Sequence, residues 1–311
     1  MANSVITNSG AKVALQSLNK INEQLDTTQK KVSTGYKVSD AKDDGAAYAV
    51  AQKVRADVSG LNSANDQLGG VNGLLTSTLK AVDTVSTTLV NDVSTVLTKL
   101  SDANLDAETR SQYTEQFKSL VTRMNTTLQD ASYNGTRLLG STANDPLTGA
   151  AFEGGSMEVT RNEKGQSYTV NANATSADNL SFTDDIATDI TGITTMTADE
   201  AKQLLQGVDN TGAAVTSVTV GGVALKTFSG LSSSVNTTSN ALGNDSKFIS
   251  SQLTYNSARI DAMEEGLGSL VDADLAKESA RLTALQTQQQ LATTSLSTAN
   301  SAPQVLLSLF R

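Results

Sequence analysis

The chain has 311 residues with a net charge of −9, an isoelectric point near 4.6, 38% hydrophobic and only 4% aromatic residues. Clustered Lys and Arg for nucleic-acid binding are absent, and with neither His nor Cys there is no disulfide, no imidazole metal site and no Cys or His nucleophile–base pair. Ser, Thr, Asn, Gln and Ala dominate, a balance suited to long thin helices with narrow seams rather than one thick globule.

The first segment, "MANSVITNSGAK", has no basic n-region or apolar h-region, so a Sec signal peptide is not expected. No apolar run approaches the ~20 residues of a membrane span. Ala11, Ala14, Leu18, Ile21, Leu25, Thr28 and Val32 then alternate three and four apart, the seam of a coiled coil. Gly35 follows as a C-terminal cap.

A second helix is expected after Ser39 or Asp40, with Asp43 and Asp44 near its positive end. Its seam runs Leu61, Ala64, Leu68, Val71, Leu75, Thr78, Val82, Val85 and Leu89, then continues through Val93, Val96 and Leu100 after a one-residue slip. A third helix, capped by Asp106, carries Tyr113, Phe117, Leu120, Met124 and Leu128 and stops at Tyr133–Gly135.

Residues 141 to about 235 change character. "SMEVTRNEKGQSYTV" alternates around Lys164–Gly165 and "AVTSVTVGGVAL" around Gly221–Gly222, two expected hairpins. Between them "TADEAKQLL" opens with a capping box, Thr197 to Glu200.

Helical alternation resumes with Ile249, Leu253, Asn256, Ile260, Met263, Leu267 and Leu270. Gly266 and Gly268 each weaken a helix by about 1 kcal/mol relative to Ala, which predicts a softer joint there. A last stripe takes in Leu275, Leu282, Leu285, Gln289, Ala292, Leu296 and Ala299. Pro303 is expected to interrupt it before an apolar tail of Val305, Leu306, Leu307, Leu309 and Phe310.

Candidate chemistry is sparse. The pairs Asp43–Asp44, Asp184–Asp185 and Glu264–Glu265 read as helix starts or solvated surface, and Asp272 with Asp274 lacks the oxygen-ligand loop of a calcium site. Gly69–Gly70 and Gly221–Gly222 lack a phosphate-loop pattern and read as close packing or turns. No catalytic residue, metal site or cofactor is expected. The two terminal stripes are each too narrow to fold alone. Paired, they still leave apolar surface that asks for further copies of the chain.

Three stretches resemble the bacterial flagellins. "KVSTGYKVSDAKDDGAAYAVA", Lys31 to Ala51, is similar to that family's N-terminal signature. "YNGTRLL", Tyr133 to Leu139, resembles its aromatic-Asn-Gly segment, and Asp272 to Arg311 is similar to its C-terminus almost throughout. The resemblance spans about 1–140 and 236–311. It implies a mainly α fold of long antiparallel helices: 1–42 with 272–311 as a coiled coil lining an inner tube, 43–140 with 236–271 as a helical bundle around it, and 141–235 as a small α+β outer insert.

It further implies a structural subunit that polymerises into the flagellar filament, outside the cell, after unfolded passage through the flagellar type III export apparatus. An export chaperone covering the tail, a filament cap and hook-associated junction proteins are the implied partners besides the chain itself, with no nucleic acid and no membrane. The self-assembly residues are then Leu18, Ile21, Leu25, Val32, Leu275, Leu282, Leu285, Leu296, Val305, Leu306, Leu309 and Phe310. The arginines by which the animal innate receptor senses flagellins are missing from "LVNDVSTVLTK", Leu89–Lys99, and without His an outer zinc protease is excluded. A hook–filament junction protein and a monomeric helical adhesin are the alternatives.

Overall fold

The computed structural model describes residues 8–139, 156–170, 180–183 and 188–309, with side chains to residue 301. Two compact units divide the chain, one of 1–58 with 259–311 and one of 59–258. The pair Asp184–Asp185 and the tail residue Phe310 lie outside the described residues.

The first unit contains α1 (Ser9–Thr34) and α7 (Leu275–Leu309). The first part of α2 (Gly45–Thr87) and the last part of α6 (Phe228–Val271) also belong to it. Gly35 closes α1 at φ 74°, its N–H donating to the Lys31 carbonyl. Helix α2 starts at Gly45, later than its acidic run suggested. Residues 40–43 instead form a turn, and Asp44 caps the helix through the amides of Ala46 and Ala47, 3.0 Å each. Val38, Ala51 and Val271 are buried under this turn with Tyr48 and Leu267 against them.

Helix α6 passes Gly266 and Gly268 unbroken. Helix α7 likewise runs through Pro303, contrary to the expected interruption.

The second unit has one continuous hydrophobic core. The seam of α2 is buried from Leu61 to Val85. At Thr88–Val93 the helix makes one turn of π-helix before α3 (Ser94–Leu100). A π-turn adds a residue to the helical repeat, so it absorbs the one-residue slip, and Leu89, Val93, Val96 and Leu100 all stay buried. Asp106 caps α4 (Ala107–Gln129), accepting from Thr109 N–H at 2.8 Å.

Both hairpins form, β1 (Met157–Thr160) with β2 (Ser167–Val170) and β3 (Ser217–Val220) with β4 (Val223–Lys226). Gly221 and Gly222, at φ 55° and 85°, supply the two left-handed residues of a type I′ turn. A Cβ on Gly221 would stand 2.5 Å from the Gly192 carbonyl oxygen. The capping box holds α5 (Ala198–Gln206). Gly69 and Gly70 are neither turn nor close contact: both lie mid-helix facing open space, Gly70 lining a pocket of about 210 Å³ with Tyr133 and Met157. The close approach is at Gly73, where a Cβ would meet the Tyr133 ring at 3.0 Å.

The central segment is part of this core, not a detachable cap. Leu180, Ser181, Phe182 and Thr183 are fully buried, Phe182 edge-on to Phe117 of α4 with ring centroids 5.4 Å apart. Ile193, Met196, Leu204, Val220 and Leu225 complete the same core. Tyr168 of β2 stacks on Phe248 at 4.1 Å and donates to Asp245 at 2.6 Å. Buried Asn256 donates to Asn65 at 2.9 Å and to the Arg161 carbonyl at 3.0 Å. Removing 150–225 would strip these layers from α4 and α6, so a deletion that the distant helical seams alone would tolerate is expected to unfold this unit.

Helix α6 also begins earlier than its apolar alternation indicated. Phe228, Leu231, Val235, Thr238, Leu242 and Asp245 extend the stripe of Ile249 backwards at the same spacing, all but the half-buried Phe228 being buried. Hydroxyls line these helices throughout. Thr78 donates to the Leu74 carbonyl at 2.8 Å, and Thr84, Thr98, Thr122, Thr126, Thr254 and Thr287 each do the same four residues back.

Candidate self-assembly surface

Helices α1 and α7 pair antiparallel. At one end Asn8 Nδ2 donates to the Ala299 carbonyl at 2.7 Å; midway Gln289 Nε2 donates to Asn22 Oδ1 at 2.8 Å. At the other end Tyr36 and Asp272 form an antiparallel bridge, and Ala273 N–H reaches the Gly35 carbonyl at 2.9 Å. These contacts, at both ends and the middle, fix the register where a narrow apolar stripe alone would permit sliding.

The turn joining α1 to α2 is organised by carboxylates. Asp43 Oδ2 accepts from the Ser39 amide and hydroxyl at 3.0 Å each, from the Asp40 amide at 3.3 Å and from Lys30 Nζ at 3.2 Å. These bonds, the Ser39 amide first, hold its pKa down at about 2. Lys30 also meets Asp40 at 2.7 Å, which lowers the Asp40 pKa and raises that of Lys30. Arg55 lies over the Tyr36 ring, 5.7 Å from its centroid. Both acids are therefore structural. Glu264 and Glu265 are exposed, and among the described residues no three His, Cys, Asp or Glu side chains are grouped to hold a metal.

On α1 the stripe residues Leu18, Ile21, Leu25 and Val32 are half-buried, and Thr28 alone is fully buried at 2% exposure. On α7 Leu285 is buried at 5%, and Leu282, Gln289, Ala292 and Leu296 are half-buried. Leu275, the first residue of α7, is 49% exposed. The next seam position after it is Glu278, whose Oε2 is buried without a hydrogen-bond partner. Val305, Leu306 and Leu309 have helical backbone within α7, their side chains being outside the described set.

Three further apolar residues, outside the stripes, were missed by reading spacing alone. Val13 and Leu291 are each 63% exposed, and Leu15 is exposed too. Their signal was present in the sequence: bulky apolar side chains between seam positions of a surface helix have no partner within the pair.

A two-helix pair that leaves both flanks apolar defines a subunit built to meet other copies of itself. Comparison with known proteins identifies the family. Residues 5–144 match the bacterial flagellin N-terminal helical region and residues 225–310 the bacterial flagellin C-terminal helical region. Flagellin of Brucella melitensis is 33% identical over 99% of each chain, and flagellin FljK of Caulobacter vibrioides 34% identical over 99% of each. The crystal structure of Bacillus cereus flagellin overlays weakly, with TM-score 0.32 and 13% identity over 70% of this chain and 94% of that one. The chain belongs to the bacterial flagellins. It is a structural subunit of the flagellar filament, the extracellular part of the organelle of motility.

Proposed function

We propose that the α1–α7 pair and the tail are the polymerising surface. Leu18, Ile21, Leu25, Val32, Leu282, Leu285 and Leu296 make the seam. Leu275, Val305, Leu306, Leu309 and Phe310, with Val13, Leu15 and Leu291, become buried against neighbouring copies. The observation that supports this reading is the incomplete burial of every apolar stripe residue on α1 after pairing. At roughly 25 cal/mol per Å² that remaining surface is worth covering.

On this reading 1–42 with 272–311 form the inner tube, 43–140 with 236–271 the surrounding shell, and 141–235 the outward part. The subunit has no enzymatic role and needs no cofactor. A type III export apparatus delivers it without a cleaved Sec signal, an export chaperone shields the apolar tail, and the cap and hook-associated proteins meet the ends of the polymer. No helix among the described residues is long and apolar enough to cross a membrane.

Truncation of Pro303–Arg311 tests the reading. The shortened chain should be a soluble, largely helical monomer that does not extend filament seeds. Filaments of normal length from it would overturn the assignment.

A further inference from the structure

A proline inside a helix has no amide hydrogen, so the carbonyl four residues back loses its donor. For Pro303 that carbonyl belongs to Ala299, and here it accepts from Asn8 Nδ2 at 2.7 Å. The other end of the same carboxamide is also used: Asn8 Oδ1 accepts from Ala11 N–H at 3.0 Å and caps α1. One side chain thus fills the vacant donor of α7 and one vacant acceptor role at the start of α1. Aspartate or serine could cap α1 equally well, but neither brings an NH₂ donor at that reach.

We infer that Asn8 is a positioning residue for assembly: it carries α7 across Pro303, so the tail is held helical only where α1 is docked in register. Sliding the pair by one helical turn, about 5.4 Å, would take the donor away from the Ala299 carbonyl. The tail's order is then conditional on the N-terminal helix being correctly seated. The coupling joins residues 291 apart in sequence. This rests on the reading of the tail as assembly surface, and it adds what aims that surface.

The test is a double-mutant cycle in the full chain, with Asn8→Ser, Asn8→Ala and Pro303→Ala singly and combined. Asn8→Ser keeps a capping oxygen and removes the amide donor. Pro303→Ala restores a backbone donor to the Ala299 carbonyl. Amide exchange at residues 300–307 is measured in filaments, and elongation is measured from wild-type seeds.

Asn8→Ser and Asn8→Ala should both speed exchange at 300–307 about tenfold, the equivalent of one hydrogen bond, and slow elongation. On the Pro303→Ala background both effects should largely vanish. Harm from Asn8→Ala but not Asn8→Ser, unrelieved by Pro303→Ala, would mean a cap and nothing more, and would overturn the inference. So would the absence of any effect, or a failure to elongate that Pro303→Ala does not rescue. The two readings fail separately. Filaments from the chain lacking Pro303–Arg311 would remove the tail's role in assembly, whereas the exchange coupling between positions 8 and 303 would still report the clasp.

Discussion

The two units are built from similar helices and are stabilised in opposite ways. In the unit of 59–258, layers of helix, hairpin and the buried segment Leu180–Thr183 close around one core, and Phe117, Phe182, Leu97 and Leu100 are fully buried. In the unit of 1–58 with 259–311, two helices share a stripe in which only Thr28 and Leu285 fall below a tenth exposed. An isolated helix of such length is marginal in water, and one partner covers one side of it. The first architecture is complete within a chain; the second, on the proposed reading, is completed among chains.

Deletion of residues 150–225 should have the largest effect on that contrast. It should abolish the cooperative unfolding transition of the 59–258 unit and give aggregated protein, measured by calorimetry and light scattering. A folded, polymerising deletion product would mean that the core does not need its central layers.

Single truncations sharpen it. Phe182→Ala should cost about 3–5 kcal/mol in denaturant unfolding of the free subunit. Leu282→Ala, half-buried, should cost on the order of 1 kcal/mol there, yet raise the critical concentration for filament growth more than Phe182→Ala does. Reversal of that order would erase the distinction between the units.

Two pH dependences separate the units by their titrating groups. The Asp43 pKa is depressed to about 2, so its contribution to the 39–43 turn is present above about pH 4 and is lost as pH falls toward 2. Asp43→Asn should flatten acid dissociation of filaments across that window. Tyr168 moves the other way, burial and then Asp245 raising it to about 12. Its contribution in the 59–258 unit is present below pH 10 and is lost from pH 10 to 12, so Tyr168→Phe should remove that alkaline slope in unfolding.

The smallest effect is expected at the π-turn. Deleting Asn91 removes the extra residue of the π-turn and leaves the steps on either side of it unchanged, so stability should change by less than about 1 kcal/mol. Deleting Ala81, inside regular helix, should put all the seam beyond it out of phase and unfold the unit.

Much of this was legible from spacing because local signals and packing agree there. The capping box at Thr197, the Gly221–Gly222 turn and the slip at Val93 each have a short-range cause. What spacing missed has a long-range one. Helix α7 crosses Pro303 through Asn8, at the far end of the chain. The start of α6, "SGLSSSVNTTSNAL", is rich in Ser, Thr and Asn, which favour turns and caps, and it becomes helix because Leu231, Val235 and Leu242 reach the core. Phe182 carries no periodic signal at all and is found only by its contact with Phe117. On the candidate surface, spacing points to an α1 stripe whose members are half-buried or buried, whereas Leu275, in step with Leu282, is exposed at the first residue of α7.

Threonine explains how so polar a chain packs. Thr78 is fully buried, with its hydroxyl donating to the Leu74 carbonyl of its own helix. Such a residue asks nothing of its neighbours, and within the folded unit it fills space as a small aliphatic group would. When the chain unfolds, the hydroxyl returns to water and the same position becomes hydrophilic. Wherever a seam uses threonine in place of valine, the folded protein keeps its fit while the unfolded chain gains solubility. Insolubility of the unfolded state, the usual companion of long buried seams, is thereby lowered residue by residue along the chain.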